Sequence, residues 1–357
     1  MKKSLLILNA SVAAWASVAL SGESAFLDGI TRPEDLALIP GTPWVLVASM
    51  RAADGTGGGL AAVDASTLSG TEVIFPKSSA AIDFDRKAYP NCPGSPSVGD
   101  FNPHGIAFKS DANNRGRLLV VNHGGREAVE VFDVEMKGRK PALVWRGCAV
   151  MPAKTWPNGV AALGQNDFVV TSMYDPETDF KKRFERAEPT GRVWKWSPEK
   201  DWSAAVEFEF SAANGVETSA DGRWLFVSEW AARKVHRFSL DGKGEHRVIA
   251  VDFLPDNLHR TRDGKILLAG QKATPSALFT CEPGGIPACP KGYAAIELDP
   301  DLLTTRRLVD AGDDSFGGGT AAVRVSVGSA EELWVGTVLN NRVARFPWKP
   351  NGPLATH

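Results

Sequence analysis

A three-segment pattern recurs six times along the chain, and few folds can accommodate it. The first segments start at Glu34 (EDLALIP), His104 (HGIAFKS), Asn158 (NGVAALG), Asn214 (NGVETSA), Asp256 (DNLHRTR) and Thr320 (TAAVRVS). The second start at Thr42 (TPWVLVASM), Gly116 (GRLLVVNH), Asn166 (NDFVVTSMY), Gly222 (GRWLFVSE), Gly264 (GKILLAGQ) and Glu331 (EELWVGTVL). The third start at Leu60 (LAAVDAS), Val129 (VEVFDV), Arg192 (RVWKWSP), Lys234 (KVHRFSL), Ala294 (AAIELDP) and Arg342 (RVARFPW). The third segments alternate apolar and polar residues, the period of a half-buried strand. An Asn-Gly pair usually makes a hairpin turn, but Asn214-Gly215 precedes a strand and the turn of that unit is Asp221-Gly222.

Six triplets, each completed by a variable fourth strand, predict six four-stranded sheets. Radial repetition of small sheets limits exposed edges, so the expected architecture is an all-β, six-bladed β-propeller. A pair of β-sandwiches is the competing arrangement. It would show a linker near the middle, yet repeat units run through 158–240 without a break. Length and composition agree with one large all-β domain over 22–357: the chain has 357 residues, with 35 Gly, 23 Pro and 11 Trp. No helical periodicity beyond about ten residues appears after the N-terminus.

Residues 1–21 read as an export signal: Lys2-Lys3, an apolar run from Leu5 to Leu20 interrupted by Asn9, and a cleavage site at Ala19-Leu20-Ser21. A short buried or interfacial helix, or a retained membrane anchor, is the competing reading. The expected location is therefore periplasmic or secreted, with membrane contact only if the segment is retained. Four cysteines suit an oxidising compartment. Cys281 and Cys289 bracket the loop CEPGGIPAC and are expected to pair, leaving Cys92 with Cys148; free buried thiols are the alternative. The net charge of -2, with no Lys/Arg cluster, argues against a nucleic-acid partner.

In a propeller the first strand of every blade lines the central channel, so the starts of these strands converge at one end of the axis. Five of the six starts carry carboxylate, amide or imidazole groups. Glu34, Asn158, Asn214, Asp256 and Asn257 would present five oxygen ligands with two negative charges, the chemistry of a Ca2+ site. Zinc or iron would call for more His or Cys. His104 opens one first strand and His123 ends the strand after it, so a hairpin can set them side by side as a general-base pair. His236, His246 and His259 have no such placing and are expected to be structural or exposed.

Several of these stretches, "PEDL", "FNPHGIAF", "LLVVNH", "ANGVETSADGRWLFVSE" and "VGTVLNNRVARF", resemble the paraoxonase/arylesterase family of six-bladed, calcium-dependent lactonases and esterases. The resemblance runs from about Arg32 to Trp348 and is more specific than that to gluconolactonase/regucalcin or strictosidine-synthase-like propellers. It implies a catalytic calcium on Glu34, Asn158, Asn214, Asp256 and Asn257 and a histidine dyad of His104 and His123. It also implies a second, structural calcium on Asp35, the carbonyl of Ile106 and an aspartate that would fall at Gly159. The chain lacks that aspartate, and it has Ser172-Met173-Tyr174 where the family has an Asn-Asp-His-Tyr run. Its cysteine pattern also departs from the family's terminus-to-terminus disulfide.

Two functions are thus expected to compete. One is calcium-dependent hydrolysis of a small lactone or aryl ester, with a metal-polarised carbonyl and water activated by the His pair. The other is a non-catalytic exported propeller that binds calcium and holds a ligand or protein partner.

Overall fold

A computed structural model describes residues 25–76, 81–111, 116–279, 281, 289–348 and 354–355. The expected export signal at residues 1–21 lies outside the described residues. Strand β1 (Ala25–Asp28) precedes the first blade, which comprises β2 (Pro33–Leu38), β3 (Trp44–Ser49), β4 (Gly59–Asp64) and β5 (Ser69–Phe75). After the short β6 (Ala81–Ile82), the second blade holds β7 (Pro103–Ser110), β8 (Gly116–Asn122), β9 (Ala128–Lys137) and β10 (Lys140–Val150). The third has β11 (Pro157–Ala162), β12 (Phe168–Ser172), helix α1 (Phe180–Glu185), β13 (Arg192–Ser197) and β14 (Asp201–Ala204). The fourth is β15 (Ala213–Thr218), β16 (Trp224–Glu229), β17 (Lys234–Ser239) and β18 (Arg247–Ala250). The fifth has β19 (Leu254–Arg260), β20 (Ile266–Gln271), helix α2 (Pro275–Phe279), β21 (Tyr293–Leu298) and β22 (Thr305–Ala311). The sixth runs β23 (Gly319–Val327), β24 (Ala330–Thr337) and β25 (Arg342–Pro347), and β26 (Leu354–Ala355) follows.

The chain is a six-bladed β-propeller. Its first strands contact one another in a closed circuit, β2–β7–β11–β15–β19–β23 and back to β2. The ring is completed between the chain ends: β1 pairs antiparallel with β25 as the outer strand of the sixth blade. Two sheets depart from the expected four strands, because β6 adds to β10 and the two-residue β26 adds to β22. Apolar faces of neighbouring blades pack together. Phe75, Phe101 and Phe132 lock the first blade to the second through edge-to-face contacts, and Phe226, Phe253, Leu258 and Leu268 fill the space between the fourth and fifth. Burial of each such side chain contributes about 1.5–3 kcal/mol.

The structure bonds Cys92 to Cys148 and Cys281 to Cys289. Among the described residues, no helix is long and apolar enough to cross a membrane. The Asp221-Gly222 turn is as expected, with Gly222 at φ 69°, and Asn214-Gly215 lies inside β15.

Candidate active site

All six inner strands share one irregularity. Pairing with the second strand of the blade shifts register between Pro33 and Asp35, Pro103 and Ile106, Pro157 and Val160, Ala213 and Val216, Pro255 and Leu258, and Gly319 and Ala322. A bulge releases a residue from the ladder and re-aims its side chain. Among the residues released are Glu34, His104, Asn158, Asn214, Asp256 with Asn257, and Thr320, which include every polar start singled out above.

The strands approach closely at this level, which explains the Asn-Gly pairs. A Cβ on Gly159 would lie 2.8 Å from the Asn214 carbonyl oxygen, and one on Gly215 would lie 2.3 Å from that of Asp256. Hydroxyls on neighbouring strands tie down the freed carbonyls. Thr171 Oγ1 donates to the Asn214 carbonyl, Ser228 Oγ to that of Asp256 at 2.8 Å, and Thr320 Oγ1 to that of Glu34 at 2.6 Å.

Glu34, Asn158, Asn214, Asp256 and Asn257 are all buried. Asn257 Nδ2 donates to Glu34 Oε1 at 2.8 Å, and Gln271 Nε2 donates to Asp256 Oδ2 at 2.7 Å. Four oxygens, Glu34 Oε2, Asn158 Oδ1, Asn214 Oδ1 and Asp256 Oδ1, are buried without a hydrogen-bond partner. Buried polar atoms are nearly always paired, so four orphans on one ring of bulges require an explanation. Burial and the nearby Glu34 charge push the Asp256 carboxyl well above the usual carboxylate range. Burial also works against the Glu34 charge, but His104 and Asn257 outweigh it and hold that carboxyl low. A hard cation would remove both the repulsion and the orphaned lone pairs, so this donor set fits calcium. Among the described residues, no group of three or more His, Cys, Asp or Glu side chains could hold a metal ion. A cation here would therefore depend on the amide oxygens of Asn158, Asn214 and Asn257 beside the two carboxylates.

The residues do not fit the second, structural calcium. Asp35 already accepts three hydrogen bonds: from Leu36 N at 2.8 Å and His259 Nε2 at 2.5 Å on Oδ1, and from Ile106 N at 2.7 Å on Oδ2. Ile106 meets Asp35 through its N–H, and Gly159 has no side chain to offer. His259 follows Asn257 by two residues on β19, and its imidazole occupies the Asp35 carboxylate.

His104 and His123 meet as the hairpin predicts: His104 Nδ1 and His123 Nε2 share a hydrogen bond of 2.8 Å. The second nitrogen of His104 lies 3.4 Å from Glu34 Oε1, at the edge of the oxygen ring. Burial opposes a charge on His104, but Glu34 outweighs it and raises the imidazole. The His123 side chain is only 2 % exposed, and burial lowers its pKa despite Glu127. Glu127, which sequence reasoning missed, puts Oε2 2.6 Å from His123 Nδ1.

An aromatic wall rises beside the pair. Trp156 stacks on His123 at 4.2 Å between centroids and 14° between planes, then on Tyr174, which stacks on Phe180 at 3.8 Å. The segment 174–190 thus carries α1 over the third to fifth blades, where Phe184 packs on Trp230 and Phe279. Met173, in the stretch that departs from the family run, places Sδ 3.8 Å from Asn158 Nδ2.

Fold and site together define a β-propeller with an oxygen-lined channel and a coupled imidazole pair beside it. The chain belongs to the paraoxonase/arylesterase-like group of such propellers: the Arylesterase family matches residues 88–290. It is 30% identical over 169 residues to serum paraoxonase/arylesterase 1 of Mus musculus, covering 45% of this chain and 46% of that protein. It is 27% identical over 248 residues to serum paraoxonase/lactonase 3 of Homo sapiens, covering 67% of each. The match thus spans about half the length of the first of these relatives. A solved luciferin-regenerating enzyme shares the fold, with a TM-score of 0.56 at 12% identity, covering 92% of this chain and 95% of that one. So does the calcium-binding protein regucalcin of Agrobacterium tumefaciens, at 0.51 and 10%, covering 90% and 92%.

Proposed function

We propose that this protein is an exported, calcium-dependent hydrolase of lactones or carboxylic aryl esters. One observation carries the reading: His104, bonded to His123, stands 3.4 Å from the Glu34 carboxylate on a ring of orphaned oxygens. A structural cation site needs no buried imidazole pair beside it.

Glu34, Asn158, Asn214, Asp256 and Asn257 would hold the calcium, with the remaining positions left to water or substrate. When bound, the cation supplies Lewis-acid polarisation of the carbonyl and offsets the charge of the tetrahedral transition state. His104 Nε2 takes a proton from water as the oxygen attacks the carbonyl carbon, and its Nδ1 shares the resulting charge with His123. The same imidazole returns the proton to the departing alkoxide or phenolate oxygen. The aromatic wall from Trp156 to Phe180 excludes water on one side, where an apolar acyl or aryl group would lie. Cys92–Cys148 and Cys281–Cys289 bonds suit an oxidising compartment, which supports the export reading.

The test is turnover of a panel of γ- and δ-lactones and phenyl acetate by the full chain with calcium and with chelator. Chelator-sensitive hydrolysis is expected. His104→Gln should lose on the order of 10²-fold or more of kcat while keeping its calcium-dependent rise in Tm. Absence of chelator-sensitive turnover across the panel would favour the non-catalytic calcium-binding propeller, and full activity in His104→Gln would remove the base assignment.

A further inference from the structure

The imidazole pair does not end at His123. Its far nitrogen, Nδ1, lies 2.6 Å from Glu127 Oε2. The Glu127 backbone is itself anchored, because Met151 N donates to its carbonyl at 2.9 Å. The ring is enclosed on one face by Trp156. We propose that Glu127 and Trp156 are positioning residues, which fix the tautomer and plane of His123 and thereby leave Nε2 of His104 as the proton acceptor at the channel mouth. The inference rests on the functional reading above for its kinetic consequence, though not for its structural content.

An ionised carboxylate only accepts, so Nδ1 of His123 carries the hydrogen it shares with Glu127. A neutral His123 then has its lone pair on Nε2, and the bond to His104 requires the hydrogen on His104 Nδ1. That leaves the His104 lone pair on Nε2, which is free to accept once a cation takes up the Glu34 carboxylate 3.4 Å away; without a cation that carboxylate accepts from a hydrogen on Nε2 instead. Reversing the His123 tautomer reverses both bonds: His123 Nε2–H would donate to His104 Nδ1, and His104 Nε2 would carry a hydrogen and could not accept one. The carboxylate at one end thus determines which atom is basic at the other. A carboxylate that orients an imidazole in a hydrolytic triad can matter by about 10⁴-fold. A relay one imidazole longer is expected to show less, on the order of 10²-fold. Trp156 acts differently. Its near-parallel stack opposes rotation about the His123 Cβ–Cγ bond, and such rotation would break both hydrogen bonds together.

The experiment uses the calcium-loaded full chain and four variants, Glu127→Gln, Glu127→Asp, Trp156→Leu and Trp156→Phe. Glu127→Gln should lower kcat by about 10²-fold with KM little changed and with the wild-type calcium-induced rise in Tm. Glu127→Asp should recover part of the loss. Trp156→Leu should lower kcat several-fold and Trp156→Phe should restore it. Ring-nitrogen NMR provides a readout independent of turnover: His123 should carry its hydrogen on Nδ1 in the wild type and exchange between tautomers in Glu127→Gln. Wild-type kcat in Glu127→Gln would overturn the proposal, as would an unprotonated Nδ1 in the native spectrum. If the native protein hydrolyses nothing in the panel, the functional reading falls, while the spectra still decide whether Glu127 sets the tautomer.

Discussion

Asp256→Asn offers the most discriminating test of the oxygen ring, because the expected change has opposite signs with and without calcium. Asp256 is buried with one oxygen on Gln271 and the other unpartnered, and it shares the ring with the Glu34 carboxylate. Without a cation, burial and the Glu34 charge oppose ionisation of Asp256. Asn removes that carboxyl, so the calcium-free variant should melt at or above the calcium-free native protein. With calcium at a hundred times its dissociation constant, the native protein gains about 2.7 kcal/mol. Loss of one of two ligand charges should weaken binding on the order of a hundredfold, which leaves about 0.4 kcal/mol at the same calcium concentration. At roughly 2 °C per kcal/mol for a chain of this size, the native rise of about 5 °C should shrink to about 1 °C. Scanning calorimetry in calcium and in chelator reads both quantities. An ordinary structural carboxylate would behave otherwise: its loss would lower Tm in both conditions. A calcium-free variant several degrees below the native protein, or one that keeps the full calcium increment, would refute the reasoning.

Three further outcomes follow from the same geometry. Gly215→Ala drives a Cβ to within 2.3 Å of the Asp256 carbonyl, and because backbone cannot yield as a side-chain tip does, about 2–3 kcal/mol of stability should be lost; an unchanged urea midpoint would contradict the close approach of β15 and β19. Since Asp35 already accepts from His259, Ile106 N and Leu36 N and Gly159 offers no carboxylate, elemental analysis of dialysed, calcium-loaded protein should find one calcium per chain, and two would reverse that reading. The third concerns acid stability. Burial opposes the Glu229 charge, but His236 and the Ser211 N–H prevail and hold its carboxyl below the usual 4.5. Its contribution is therefore complete above about 4.5 and is lost as pH falls through the lower folded value. Glu229→Gln should flatten that part of the Tm-against-pH curve, and an unaltered acid limb would exclude Glu229 as its source.

Much of the architecture is legible in the chain because strand alternation and turn chemistry act locally. The first segments expected from Glu34, His104, Asn158, Asn214 and Thr320 begin one residue inside β2, β7, β11, β15 and β23, and the one expected from Asp256 begins two residues inside β19. The polar starts were visible for the same reason, since a sixfold repeat makes equivalent phase readable from one line of text. Hairpin length alone sets His104 beside His123, and the 2.8 Å bond agrees. His259 left a signal that went unused: it lies two residues beyond Asn257, the strand period that returns a side chain to the same face.

Other features have no sequence signature. Glu127 follows His123 in a Gly-Gly loop without periodicity, and only the folded loop turns its carboxylate onto Nδ1. The stack of Trp156, Tyr174 and Phe180 joins the start of β11, the end of β12 and α1, and nothing in their spacing announces it. The orphaned oxygens are likewise relations between blades, since each is defined by what fails to approach it from its neighbours.

By itself, then, the sequence determined the repeat, the blade count and the set of oxygen and imidazole groups at one phase of that repeat, because strand alternation and turn chemistry act between near neighbours and their recurrence can be read along the chain. Tertiary structure alone decided which oxygens stay unpaired, that Asp35 is occupied by His259, and that His123 is held between Glu127 and Trp156. These depend on the register shift at each bulge and on the distance between neighbouring inner strands, quantities that exist only once the ring has closed.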